Sequence, residues 1–393
     1  MQTKRLRFSS KLALVATLST LTLIGTAACS PSGVDTGDNT KGDGTVFELD
    51  GNGRPILSDD YSVQAQKAAT EQVDTTKFKK DPPYKIAAVV QGPTNGWGTT
   101  FDAVMRDAFE KSGKVADLSY VPWEFATENQ VKGVDDAVAA GVDAILLTSL
   151  SRAGLVASVE RAKAAGIPVI TCLAGVSTDA YTAEVSRDIP QMGFATADYL
   201  AKKLNGKGNV VMLHGIAGAD AAEFWKSGAL DAFSQYPGIK VVAQQNADWS
   251  AAKVVDVMRT IIAQQPQIDA VWVGGLEMGP PLIDVFEEAG LPVPLIAGTN
   301  PTNGFLRIAI EKKLDFYVAP FPAAAAQECV STVLDVLDGK TVQKYTDVID
   351  VMDGVKPFGQ DEAKQHYLPQ FNDDFIGPKV TDDSVYFNAG FKK

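Results

Sequence analysis

The chain has 393 residues, of which 48 are acidic and 36 basic, giving a formal charge of −12, with 45% hydrophobic and 21% charged side chains. That length exceeds what one ordinary hydrophobic core serves, and the acidic balance excludes a nucleic-acid binder, since phosphates demand a basic face. With two histidines and three cysteines, and no cluster of Cys, His or carboxylates at ligand spacing, neither a bound metal nor a cofactor is expected.

The N-terminus reads as an export signal. Lys4, Arg5 and Arg7 precede an apolar run from Leu12 to Ile24. Those thirteen residues fall short of the ~20 needed to cross a bilayer. Thr26, Ala27 and Ala28 then lead into Cys29, which resembles the lipobox of bacterial lipoproteins, although Thr26 stands where leucine is usual. Residues 1–28 are therefore expected to be removed and Cys29 to be lipidated, anchoring an exported protein to the outer face of the cytoplasmic membrane. Loss of the signal, with Lys4, Arg5, Arg7 and Lys11, takes the formal charge to −16. The following SPSGVDTGDNTKGDGT is too polar to fold and reads as a flexible tether. Residues 46–80 hold scattered apolar groups such as Val46, Phe47 and Tyr61 without a sustained period, so the whole of 29–83 is left as lipidated cysteine, tether and unassigned segment.

From Tyr84 the pattern becomes regular. KIAAVV, AILLT, PVIT, NVVMLH, AVWVGG and PLIAG are short apolar runs ending in small or polar residues, as buried parallel strands do. Between them, Trp97 to Ser112, Thr127 to Ala140, Arg152 to Ala165, Ala251 to Gln265 and Pro280 to Ala289 carry apolar residues at helical spacing. Gly141, Gly166 and Gly290 stand where helices want a left-handed terminator, with Pro168 and Pro292 following two of them. Thr127 and Gln130 have the spacing of a capping box. Cys172, at a strand end, and Cys329, in a helix, are expected to be two buried thiols, because a core this large needs no staple. The strand–helix unit recurs about ten times between Tyr84 and Gly339, which suits two lobes. Right-handed crossovers make each sheet doubly wound, with ligand sites beyond the carboxyl ends of the strands.

AAGIPVIT, GNVVMLHGIAGADAA, NADWSAAK and IDAVWVGGLEMG, in that order and spacing, resemble the ribose-type (type I) periplasmic sugar-binding proteins of ABC importers, here in lipoprotein form. The resemblance implies an α/β fold of two doubly wound parallel-sheet lobes joined by a three-segment hinge. Its crossings would fall near Ser186 to Asp188, Ala319 to Phe321 and Tyr345 to Met352. The N-terminal lobe would be 84–187 plus 321–345 and the C-terminal lobe 188–320, leaving 346–393 as a crossing strand and an extension with no assigned role. It implies a monomer that closes on a small sugar-like ligand and delivers it to ABC permease subunits; sensing through a membrane receptor is the alternative use of the same surfaces.

The resemblance also places the site. Trp97 in TNGWG and Trp249 in NADWS fall at aromatic positions that sandwich a sugar ring, one from each lobe. Gln91, Asn95 and Ser149 from the first lobe and Thr299 and Asn300 from the second match ligand-facing positions, although Asn95 and Asn300 are also natural loop or helix caps. Trp272, inside a strand, reads as core. Cys172, Leu173 and Ala174 replace the family's Asp-Arg pair, Trp225 its arginine, Gly275 and Leu276 its Asn-Asp pair, Pro320 its glutamine and Thr299 an aspartate. Trp225, with Phe224 nearby, becomes a third aromatic wall. A small, partly apolar, uncharged ligand, less densely hydroxylated than ribose or galactose, follows from the lost charged groups, with a less polar non-sugar such as a nucleoside as the alternative. Trp123 and Glu124 are placed at the entrance, with Glu124 as a solvated carboxylate; Glu277 and Arg152 lie near cleft loops in sequence.

An enzyme is excluded by the motifs. Gly215-Ile-Ala-Gly218 lacks both the third glycine of a dinucleotide fingerprint and the Lys-Ser/Thr of a P-loop, and there is no nucleophile elbow. His214, at a strand end, reads as a structural or rim residue. A repressor sharing the two-lobed core would begin with a helix-turn-helix, where this chain begins with an export signal.

Overall fold

Burial on both faces is what makes the strongest strands continuous apolar runs, and here they form the middle of two six-stranded sheets. The computed structural model describes residues 60–265 and 267–393, so the segment expected to be an export signal, Cys29 and the polar stretch expected to be a tether lie outside the described residues. A nine-residue helix, α1 (Asp60–Ala68), comes first, followed by a two-residue strand, β1 (Gln72–Val73). Then come β2 (Tyr84–Val90), α2 (Gly96–Ser112), β3 (Val115–Pro122), α3 (Thr127–Ala140), β4 (Ala144–Leu147), α4 (Val156–Ala164), β5 (Val169–Cys172) and β6 (Ala183–Ser186). The second series is α5 (Ile189–Lys203), β7 (Lys207–His214), α6 (Asp220–Ser234), β8 (Gly238–Asn246), α7 (Ala251–Gln264), β9 (Ala270–Val273), α8 (Gly279–Glu288), β10 (Leu295–Thr299), α9 (Asn303–Lys312) and β11 (Phe316–Ala319). It is followed by α10 (Ala326–Leu337), β12 (Val342–Gln343), β13 (Tyr345–Asp347) and β14 (Phe358–Gly359).

The first sheet runs β13-β6-β5-β4-β2-β3 and is parallel throughout; the second runs β14-β11-β10-β9-β7-β8, parallel except for β14. Gly141, Gly166 and Gly290 take φ of 64°, 76° and 67°, the left-handed turn that ends each preceding helix. The chain passes between sheets three times: after β6 into α5, after β11 into α10, and after β13 towards β14. Arg187 ties these crossings together. Almost fully buried, it donates from Nη1 to the carbonyls of Pro320 and Val355, while its Nε lies 4.0 Å from Asp347.

Three expectations are corrected. Thr127 and Gln130 form no capping box: Thr127 is the first helical residue, and Gln130 turns inward to donate to the Thr148 carbonyl and accept from the Leu150 amide, bracing the loop after β4. Cys172 and Cys329 are not free thiols but a disulfide, their Cα atoms 5.9 Å apart, joining β5 to the helix that returns from the second lobe. The unassigned segment also contributes structure. From α1, the Tyr61 hydroxyl lies 2.9 Å from Glu184 Oε1, 2.8 Å from Ser186 Oγ and 3.1 Å from the Arg187 carbonyl, and Ser62 donates to Asp188, so this helix is pinned to the first crossing.

The C-terminal segment is held by both lobes. Asn303 donates to the carbonyls of Leu368 and Phe371 and accepts from Leu368, its own amide donates to Phe375, and Arg307 pairs with Asp373. On the first-lobe side, Thr381 donates to Asp107 and accepts from Lys111, both on α2. Phe371, Phe375, Tyr386 and Phe391 pack ring against ring and join the large hydrophobic core that includes Phe101 and Met105 of α2.

Candidate ligand-binding cleft

The loops at the carboxyl ends of both sheets face one another across a cavity of about 60 Å³. Four of these loops are under local backbone tension: nine described non-glycine residues have positive φ, and seven of them, Glu124, Phe125, Leu173, Ala174, Asp248, Trp249 and Asn300, sit in the loops after β3, β5, β8 and β10. Such conformations cost of order 1–3 kcal/mol each and persist where surrounding structure over-determines them, typically at ligand sites.

The first lobe supplies Gln91, Asn95, Trp97, Ser149 and, from the loop after β3, Trp123 and Phe125; the second supplies Trp225, Trp249, Glu277 and Asn300, with Phe321 from the second crossing. Seven of the eight residues expected from the sequence therefore line one cavity. Thr299 does not. It is wholly buried at the end of β10, its Oγ1 without a partner, behind Asn300. Glu124 points to solvent, and Arg152 is buried elsewhere, over the ring of Tyr61. Trp272 is core, its indole donating to Thr196.

The aromatic walls are locked by their own N–H groups. Trp97 donates to the Phe321 carbonyl, Trp249 to the Gly274 carbonyl and Trp123 to Thr148, so the polar edge of each ring is tied to the protein and not offered to a ligand. Trp225 differs: its Nε1 is buried without a partner, leaving an indole donor beside the cavity. Ser149 Oγ is likewise unpartnered. Asn95 and Asn300 do cap, as their type allows: Asn95 Oδ1 accepts from the Gly98 amide at the start of α2, and Asn300 Oδ1 accepts from the Phe321 amide. Their oxygens are spent on the protein, which leaves the amide nitrogens for a ligand.

Sequence reasoning underrated three lining groups. Trp123 is a wall rather than an entrance residue, at 3% exposure. Phe125 reaches across the cleft, its ring 6.0 Å from that of Trp249. Glu277 turns its carboxyl inward, and burial pushes its pKa up to about 8. His214 stays at the strand end beside Gln244, its pKa lowered by burial.

The lobes are closed on one another. The Asp220 amide donates to the Leu150 carbonyl at 3.1 Å, and the Asp220 carboxylate accepts from the Arg152 amide, so the loop after β4 bonds the start of α6 directly. A ring-lined cleft between two lobes bonded to each other is suited to holding a solute. A family model for the periplasmic binding protein domain matches residues 86–341. The chain belongs to this family.

Within it, the chain is of the ribose-type sugar-binding kind. The chain is 27% identical over 246 residues to the ribose import binding protein of Bacillus subtilis, covering 62% of this chain and 80% of that one. It is 32% identical over 247 residues to the galactofuranose-binding protein of Escherichia coli, covering 60% and 74%, and 29% identical over 272 residues to the xylitol-binding protein of Mycolicibacterium smegmatis, covering 67% and 76%. Among solved structures, a galactofuranose binding protein superposes with a TM-score of 0.64 at 26% identity, over 72% of this chain and 96% of that one. A Mycobacterium smegmatis protein in complex with β-D-fucofuranose gives 0.65 at 25%, over 72% and 93%. As a member of this family, the periplasmic binding protein described here binds a solute and is not an enzyme. The family match ends at residue 341, so the C-terminal segment held by both lobes lies beyond it.

Proposed function

We propose that the protein captures a small sugar or sugar-like solute outside the cytoplasm and delivers it to an ABC permease, anchored through a lipid on Cys29. The observation that carries this reading is the chamber itself: aromatic faces from both lobes, Trp97 and Trp249 foremost, with neutral amides of Gln91, Asn95 and Asn300 and the Ser149 hydroxyl between them. Stacking suits the CH faces of a sugar ring, and neutral amides suit hydroxyls that both donate and accept. The ribose, xylitol and galactofuranose binding of the relatives supports the same class. Trp225 extends the stacking surface, and Thr299 supports the cleft from behind rather than touching solute. Ligand binds the closed state better and shifts the population towards it, and the closed surface is what the permease reads.

The test is tryptophan fluorescence during titration with pentoses, hexoses, deoxy sugars, polyols and nucleosides. Replacing Trp97 or Trp249 by Ala is expected to abolish the response to the ligand that binds; unchanged affinity in both variants overturns the assignment. For the anchor, Cys29→Ser is expected to release the protein from membranes, and continued retention refutes lipidation.

A further inference from the structure

Glu277 is the one charged residue among those lining the cavity, and no lysine, arginine or histidine accompanies it there. The residue as a whole is partly exposed, but its Oε2 is enclosed and has no hydrogen-bond partner. The position is built rather than accidental. Gly275, with φ of 138°, passes so close that a Cβ on it would stand 2.7 Å from Glu277 Oε2 and 2.8 Å from Trp249 Cδ1. Any side chain at 275 would displace the carboxyl or the ring. The absence of a side chain at 275 is thus what lets the carboxyl of Glu277 fold back against Trp249, whose indole is fixed by the Gly274 carbonyl.

Six aromatic rings complete the surroundings: Trp97, Trp123, Phe125, Trp225, Trp249 and Phe321. Their faces carry negative potential and attract a cation, most strongly where water is excluded. A carboxylate buried without a counter-ion is costly, and although the backbone amide of Glu277 itself bonds the carboxyl, the residues lining the cavity supply no counter-ion. Both features ask for the same thing from the occupant. We propose that Glu277 makes this cleft selective for a solute bearing a protonated amine, an amino sugar or amino polyol, whose ammonium pairs with the carboxylate among the aromatic faces. The proposal rests on the solute-binding reading above and narrows it to one chemical class.

The proton balance follows from burial. With the pKa of Glu277 pushed up to about 8, the empty cleft at pH 7 holds the neutral acid. An ammonium ligand draws the acid into its ionised form, so the carboxyl proton leaves to solvent as the ion pair forms. Affinity for the amine therefore rises with pH below about 8, by up to tenfold per unit, only while the ligand keeps its own ammonium proton, and falls again once that proton is lost. A neutral sugar has no such demand and releases no proton.

The experiment is calorimetric titration of the full mature chain with matched pairs: D-glucosamine and D-glucose, D-galactosamine and D-galactose, 1-amino-1-deoxysorbitol and sorbitol. Each titration is run at pH 6, 7 and 8 in two buffers of different ionisation enthalpy. The expected result is that in at least one pair the amine binds tenfold or more tightly than its neutral partner, with close to one proton released at pH 7. Glu277→Gln, which keeps the shape and removes the charge, is expected to abolish the preference and the proton release while leaving thermal stability in place. Neutral members binding as well as the amines, or a preference that survives Glu277→Gln, overturns the inference and leaves the sugar-binding reading standing. No binding by either member of any pair overturns the inference alone, and the sugar-binding reading is then decided by the wider titration panel above.

Discussion

Asp220 is the residue through which closure is most directly testable. Its carboxylate accepts from the Arg152 amide and its own amide donates to the Leu150 carbonyl, and both bonds join one lobe to the other. A hydrogen bond to a charged group contributes about 1.5–3 kcal/mol. Because Asp220 is only partly buried, the lower end applies. Asp220→Ala therefore removes about 1.5 kcal/mol from the closed state, which is roughly tenfold in the closing equilibrium. Since apparent affinity scales with the population of the competent state, Kd should rise by about tenfold when the open form dominates in the variant. Asp220→Asn keeps an acceptor for the Arg152 amide and loses only the charge, so about half the free-energy effect is expected. Fluorescence titration gives Kd, and small-angle scattering of the ligand-free variants reports opening as a larger radius of gyration. An Asp220→Ala protein that binds within twofold of the parent, with an unchanged radius, would refute the claim that these bonds hold the lobes together.

The disulfide closes a loop of 157 residues, for which chain entropy sets an upper limit of about 5 kcal/mol. Replacing both Cys172 and Cys329 by Ala should lower unfolding stability by about 2–5 kcal/mol in urea titration, and identical midpoints with and without reductant would show that the thiols are not joined. Asn303→Ala strips three hydrogen bonds from the C-terminal segment, worth about 1 kcal/mol each; proteolysis within 366–393 should accelerate, and an unchanged cleavage rate would count against the tie. Tyr61→Phe leaves Glu184 Oε1 and Ser186 Oγ without their shared hydroxyl at a buried position, costing about 1–3 kcal/mol in thermal or chemical unfolding. A neutral result there would mean that α1 contributes nothing to the first crossing.

What could be read from the sequence follows burial. The interior strands β2, β4, β5, β9 and β10 are legible because both faces are covered and the residues are almost all apolar. β3 and β8 are edge strands with one side wet, so VADLSYVP and GIKVVAQQN carry no continuous run. Trp97, Trp225 and Trp249 were legible through the family resemblance, whereas Phe125 and Phe321, which line the same cavity, were not. Glu277 was not, since its place depends on the missing side chain at Gly275 rather than on any pattern of its own. The pairing of Cys172 with Cys329 hides for a related reason: only the return of the chain from the second lobe brings α10 against β5. The C-terminal segment has aromatic residues at irregular spacing, and its order comes from carbonyls captured by Asn303, which no local period reveals.

A hinge of three strands lets one lobe rotate against the other about a single line. A fourth length of chain that grips α2 on one lobe and α9 on the other turns that open hinge into a closed linkage, in which rotation that spreads these two helices stretches the tie. Motion is then steered as well as permitted: the lobes can swing only along paths that keep the tie near its length, or must first release it. The aperture through which a solute enters is set by that constraint as much as by the hinge itself.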